Sequence, residues 1–294
     1  MNLALSVQEA TSQDPADVPR IRRWDSRDVV AILTCAVLLI DSHLWPERLL
    51  SGAAMACVFT SRSLRRSHRF WLTLVALWTP FLLFRWYQHE DHIYLAVYWA
   101  AAVGLSFWGS NQKTTLLVNA RLLIGLTFAF AFFWKVWSPE FYSNELMHYK
   151  LLFDYRFREG ITQPFTGMTA AQAAHNLEAI TSLRNLGATK TTAGLQYPEQ
   201  LGVVAWFMTW WTIIVEGILA VLFLAPWHNA FVRNLRNVGL MFFALSLYLI
   251  VPVLGFGNLF MVMGAAQCRP DERKMRGAFV VASMLFMIMF AIRF

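Results

Sequence analysis

The sequence predicts an all-α, polytopic helical membrane protein with about seven to eight membrane segments, and three observations carry that prediction. Hydrophobic residues fill 57% of the positions and charged residues only 15%, against the roughly 25% charge of an ordinary soluble domain. The apolar residues come in runs near the ~20 that span a hydrocarbon core. The basic residues stand at the ends of those runs, where the positive-inside bias puts them.

Taken in order, residues 1–27 are polar and close on Arg20, Arg22, Arg23 and Arg27. They lack an apolar core followed by a small-residue cleavage site, so they read as a disordered cytoplasmic tail. Everything from 28 to 294 reads as one transmembrane domain. The runs 28–43 and 47–60 are short and make a hairpin, whose outer turn 41–46 contains Asp41, His43 and Pro46. Arg62, Arg65, Arg66 and Arg69 close that hairpin on the cytoplasmic side. The run 69–87 then leads outward to His89, Glu90, Asp91 and His92. The run 92–109 returns to Asn111 and Lys113, and 115–137 goes out again to Trp134, Lys135 and Trp137.

The polar stretch 138–199 is expected outside, where it offers a docking surface for a protein partner. Thr169 and Gln172 have the spacing of a capping box. Leu177, Ile180 and Leu183 keep helical spacing and Gly187 makes a C-terminal stop, which predicts an amphipathic helix lying on the outer face. The run 200–226 returns to a loop carrying His228, Arg233 and Arg236.

Residues 236–267 would be about 48 Å long as one helix, far more than a ~30 Å crossing needs. Pro252, Gly255, Gly257 and Asn258 interrupt the run, and the basic loop from Arg269 to Arg276 wants the cytoplasmic side. A broken, re-entrant hairpin satisfies both. The run 277–293 completes the set.

The net charge is +7. Its placement at run ends argues for a bilayer partner and against nucleic acid, whose binding needs a basic stripe. Cys35, Cys57 and Cys268 form no CxxC pair, so they read as small apolar fillers and no metal is expected. The absence of organellar signals points to a bacterial inner membrane, with the N-terminus cytoplasmic.

Two polar groups share the outer boundary in this topology. Lys135, between Trp134 and Trp137, reads taken alone as an interfacial anchor with its amine snorkelling to the headgroups. The stretch from His89 to His92 reads as a hydrated loop, and its two histidines lack the third ligand a metal would need. Two further groups lie deeper. Glu216 is an acid inside an apolar run and so calls for a partner. Arg121 lies 14 residues before Lys135, about 21 Å deeper, and Glu216 falls at a similar depth. A structural ion pair between Arg121 and Glu216 is the expectation.

At these residues the chain resembles a known family. His92-Ile93-Tyr94-Leu95 opens one run, and 43 residues after His92 another closes on Ala131, Phe132, Lys135, Glu140 and Phe141. Val215-Glu216-Gly217 then leads an aliphatic helix, followed by the interrupted segment. Over roughly 28–268 this order is similar to the membrane domain of the vitamin K-dependent gamma-carboxylases and their shorter bacterial relatives, the HTTM proteins. The resemblance implies a membrane-embedded enzyme, a quinol-dependent oxidoreductase or lyase, with an outward-facing pocket. Lys135 would act as base on a reduced quinone (a vitamin K-like hydroquinone) or another lipophilic small molecule. His92 would place the reacting groups, and His89, Asp91, Tyr94, Trp134 and Tyr248 would line the substrate. A lysine desolvated at an apolar boundary keeps its neutral amine available for that role.

The departures are specific. Phe132 replaces the family's glycine, Trp134 its paired lysine and Tyr248 its histidine in the bent segment. No part of the chain matches the carboxylases' large outer domain, so protein glutamate carboxylation is not the expected activity. Two other classes remain open. A transporter or lipid-binding protein would place a midplane cavity at the break in 236–267. A non-catalytic scaffold subunit would have no sizeable cavity.

Overall fold

Every apolar run forms helix, because a backbone surrounded by apolar side chains satisfies its N–H and C=O groups within the segment. The computed structural model describes residues 25–84, 86–87, 89–185, 194–227, 229–250 and 254–293, and no strand occurs among them. The tail expected over 1–27 lies almost wholly outside those residues, as do His228 and Pro252. The first six helices are α1 (Ser26–Ile40), α2 (Trp45–Thr60), α3 (Arg62–Arg65), α4 (His68–Phe84), α5 (Asp91–Ser106) and α6 (Gln112–Trp137). Short helices follow: α7 (Pro139–Tyr142), α8 (Glu145–Phe153), α9 (Tyr155–Phe157), a π-helical turn (Arg158–Thr162), α10 (Gln163–Thr166) and α11 (Ala170–Asn185). The chain ends in α12 (Leu201–Leu224), α13 (Ala230–Ile250), α14 (Leu254–Gln267) and α15 (Arg273–Arg293).

Among the described residues, three helices are long and apolar enough to cross a membrane: α6, α12 and Arg273–Ile292 of α15. The helices α1, α2 and α5 have 15, 16 and 16 residues, about 24 Å at 1.5 Å per residue.

The centre of the main core is α14, which packs against α1, α5, α6, α13 and α15. Leu259, Met261, Val262 and Met263 are all fully buried, and a helix apolar on every side belongs inside. The run 236–267 is therefore two helices, with the join at 251–253 outside the described residues. Gln267 Nε2, at the end of α14, donates to Asn237 Oδ1 near the start of α13, so the run enters and leaves at the same end of the molecule. Other polar clasps hold this core. Trp99 Nε1 of α5 donates to Thr34 Oγ1 of α1 at 2.9 Å, and Ser283 Oγ of α15 donates to Asn258 Oδ1 of α14 at 2.6 Å.

A second core joins Phe141, Met147, Leu151 and Met168 to Leu201, Ala205 and Met208. The stretch after α6 is thus folded onto the first half of α12. The capping box forms: Thr169 Oγ1 accepts from Gln172 N at 3.2 Å, and Gln172 Oε1 accepts from Thr169 N at 2.8 Å. The buried face of α11 differs from the expected one. Leu177 is 44% exposed, while Ala173 and Asn176 are buried. Asn176 bonds both the N–H and the C=O of Gln196, so a polar tether rather than an apolar stripe fixes this helix. The stop expected at Gly187 and the side chain of Leu183 lie outside the described residues.

At the opposite end, arginines organise the turns. Arg66 Nε and Nη2 each donate to Asp28 at 2.8 Å, and Arg233 pairs with Glu272 at 3.2 Å. The three cysteines are free, with Cys35 and Cys268 buried.

Candidate functional site

The helical period decides which side chains meet. At the start of α5, Asp91, Tyr94, Leu95 and Tyr98 fall at i, i+3, i+4 and i+7, one face of a helix. All four line a cavity of about 740 Å³. Thr127, Phe130, Ala131 and Trp134 repeat that spacing along α6 and form the facing wall. Phe256 and Phe260 of α14 close the back. The Phe260 ring stacks on Phe128 at 5.0 Å, so the wall is stiff, aromatic and preformed.

Lys135 and Glu216 bring charge into this apolar space. Both line the cavity, and Lys135 Nζ donates to both carboxylate oxygens of Glu216. The two side chains are only 16% and 9% exposed. The Lys135 ammonium also lies 5.4 Å from the centre of the Phe141 ring, within reach of a cation–π attraction.

The expected Arg121–Glu216 pair does not form. Arg121 Nε donates to Phe223 O at 2.8 Å and Nη2 to Ala225 O at 3.0 Å. It caps the carbonyl end of α12, where the helix dipole favours a cation. The reason is register. A Cβ on Gly125 would stand 2.7 Å from Leu224, and one on Gly217 would stand 3.0 Å from Phe132. Seven residues up α6 therefore match seven residues back along α12. Continuing upward sets Lys135 beside Glu216, and continuing downward sets Arg121 beside Ala225. The sequence estimate assumed that both helices end at one level. Glu216 comes 15 residues after Leu201, whereas Lys135 is two residues from Trp137. The first half of α12 thus overshoots α6 by about 20 Å, held there by the second core.

The histidines lie elsewhere. His92 follows Asp91 by one residue, a turn of about 100° away from the cavity face, and it does not line the cavity. Its Nε2 stands 3.6 Å from Asp41 Oδ1, and its Nδ1 3.3 Å from Glu90 Oε2. Phe256 separates it from the cavity, with ring centres 5.6 Å apart. A side chain on Gly255 would collide with the imidazole. His89 Nε2 lies 3.2 Å from Phe81 O and 3.6 Å from Glu47 Oε1. The two histidines thus pin the start of α5 to the α1–α2 turn. Glu47 has a second task there, accepting the N–H groups of His43 and Leu44 at 2.9 and 3.0 Å. The neighbouring His92 also holds the Glu90 carboxyl below the usual carboxylate range, its bond outweighing the opposing effect of burial.

Of the residues singled out from sequence, the structure brings Lys135, Asp91, Tyr94 and Trp134 to one cavity. Tyr94 Oη is fixed by donating to Trp86 O at 2.7 Å. The side chain of Tyr248 lies outside the described residues, although Leu247 before it lines the cavity. Sequence reasoning missed Glu216 as the partner of Lys135, and it missed Asp41 and Glu47 as partners of the histidines. Asp41 stands in the turn between α1 and α2 and Glu47 in the first turn of α2, a clustering of acids that the sequence displays. No sequence signal sets the register of α6 on α12. Among the described residues, no three His, Cys, Asp or Glu side chains converge as a metal site.

No family model, curated protein or solved structure matches this chain. The functional reading therefore stands on the cavity and its charges.

Proposed function

We propose that this chain is a membrane enzyme that deprotonates a lipophilic hydroxyl compound, of the quinol class, in the cavity shared by α5, α6, α12, α13 and α14. One observation carries the reading: a Lys–Glu pair is set into the wall of an otherwise aromatic and aliphatic space. Its volume of about 740 Å³ falls in the range that takes a small molecule. An ionisable pair in such surroundings adds little to stability, and within a membrane it marks function by default.

The chemistry follows from charge conservation. A hydroxyl reaching the pair gives its proton to Glu216, and the oxyanion that remains sits beside the Lys135 ammonium. The net charge of the site is the same before and after, so no uncompensated charge forms in apolar surroundings. Lys135 is then the stabilising cation, and Glu216 takes the role of base that the family resemblance gives to the lysine. Flat aromatic walls at Phe128, Phe256 and Phe260 suit a quinol ring, and a bound hydroquinone supplies the ionisable hydroxyl. His92 acts through position, fixing Phe256 and the start of α5.

In this reading the arginine-rich end faces the cytoplasm of a bacterial inner membrane. The α1–α2 hairpin, α4, α5, α6, α12, the α13–α14 hairpin and α15 make up the membrane segments. The stretch 138–199 stands outside, open to a protein partner. A transporter would need a path from the cavity to the arginine-rich end. The fully buried Leu259, Met261, Val262 and Met263 of α14 favour a one-sided pocket instead. A cavity of this size also disfavours a pure scaffold.

The test is quinol consumption by the protein in nanodiscs, with oxygen and bicarbonate, for wild type, Lys135→Ala and Glu216→Gln. Turnover by wild type that falls at least 100-fold in both folded variants supports the proposal. Wild-type protein that neither binds nor turns over quinols sinks it.

A further inference from the structure

A second cavity, of about 820 Å³, opens at the arginine-rich end between α1, α6 and the α14–α15 turn. Arg27, Arg62, Lys113, Arg273 and Arg276 line it, against one acid, Asp25. That acid is already engaged: Arg27 holds it at 2.7 Å, Arg66 at 3.3 Å and Lys113 at 3.9 Å. Asp28, just beyond the lining, is taken by Arg66 at 2.8 Å. Arg62 and Lys113 are 56% and 64% exposed, and Arg273 is exposed as well. Arg276 spends its Nη2 on the carbonyls of Cys268 and Arg269, but its buried Nε has no hydrogen-bond partner. The protein thus concentrates cations around a hollow and leaves one guanidinium donor among them without a hydrogen-bond partner. Below the charged mouth the wall turns apolar through Val30, Leu116, Leu117 and Ala266.

Charge above and hydrocarbon below is the profile of a phospholipid at a membrane face. We propose that this cleft binds the phosphate headgroup of an anionic phospholipid, with Arg62, Lys113 and Arg273 at the mouth, Arg276 deeper, and an acyl chain along the apolar wall. Clefts of this kind on the basic side of a membrane domain bind anionic headgroups through the same pairing of guanidinium with phosphate. The inference needs the bilayer but is independent of the chemistry at Lys135, on the far side of the molecule.

The experiment is lipid retention by detergent-purified protein, read by native mass spectrometry after equilibration with phosphatidylglycerol or phosphatidylcholine. Wild type is compared with the double variant Lys113→Glu/Arg273→Glu. Both residues are exposed, so their change leaves the core packing alone, and a melting curve checks folding. The expected result is preferential phosphatidylglycerol retention, weakened in the variant at least about 25-fold by the two lost cations at about five-fold each, with the two added carboxylates weakening it further, and weakened by salt. Equal retention of the two lipids, or of phosphatidylglycerol by both proteins, overturns the proposal. So does displacement of the lipid by equimolar inorganic phosphate, which would mark a soluble phosphate compound as the ligand.

Discussion

Lys135 and Glu216 lie 81 positions apart and close a nearly buried ion pair between α6 and α12. A helix register set by two glycines brings them together. This pair sets charge into the wall of an otherwise apolar cavity, and it is the first place to test.

Removing one partner leaves the other charge stranded in low dielectric, so Lys135→Met or Glu216→Leu alone should cost about 3 kcal/mol. The double variant should regain most of that loss. Melting temperatures of the four proteins in one detergent supply the coupling. Simple additivity of the two losses would show that the charges do not interact.

Arg121 serves a different end of α12, and its loss should behave independently. Arg121→Ala removes two charged-donor bonds to Phe223 O and Ala225 O, about 2 kcal/mol. Combined with Glu216→Leu the two costs should add to within about 0.5 kcal/mol. A large coupling between them would restore the ion pair that the sequence suggested.

Gly255 is glycine because the His92 imidazole occupies the space where a Cβ would go. Gly255→Ala should push the imidazole off Asp41 and shift Phe256, at a cost of about 2 kcal/mol. A ring-current shift of the Phe256 resonances would report the movement. Unchanged stability and spectra would mean that α14 can slide to make room.

Acid should loosen the folded stretch after α6. Burial alone would raise the Asp154 carboxyl, but its hydrogen bonds to Arg156 outweigh that and hold it below its ordinary value. A depressed carboxyl stabilises the fold above the unfolded value near 3.9 and loses that contribution as pH falls through the lower folded value. Hydrogen exchange over α8 and α9, taken relative to the intrinsic amide rate at each pH, should therefore speed up below about pH 4, and Asp154→Asn should remove this relative acceleration. The same acceleration in the variant would place the acid-labile group elsewhere.

Much of the helical layout was legible because apolar length and turn chemistry are local. Each apolar run lies on a helix, and 236–267 divides into two helices on either side of 251–253. The Thr169–Gln172 capping box forms as its spacing requires. Asp91, Tyr94, Trp134 and Lys135 share one cavity because the start of α5 and the end of α6 meet. His92 falls outside that cavity through a step of one residue, which on a helix turns a side chain away from its neighbour's target. The Leu177 face of α11 was misjudged because a two-bond tether from Asn176 outranks a weak apolar stripe.

The sequence by itself determined that the chain is helical and apolar, where its long apolar helices run, and that basic residues flank them. These follow from hydropathy and backbone hydrogen bonding within single segments. Only the tertiary structure decided that Lys135 faces Glu216, that Arg121 caps α12, and that His89 and His92 answer Glu47 and Asp41. Those pairings depend on how far one helix slides along another. That offset is set by close approach at Gly125 and Gly217 and by a second core on α12, neither of which any local pattern encodes.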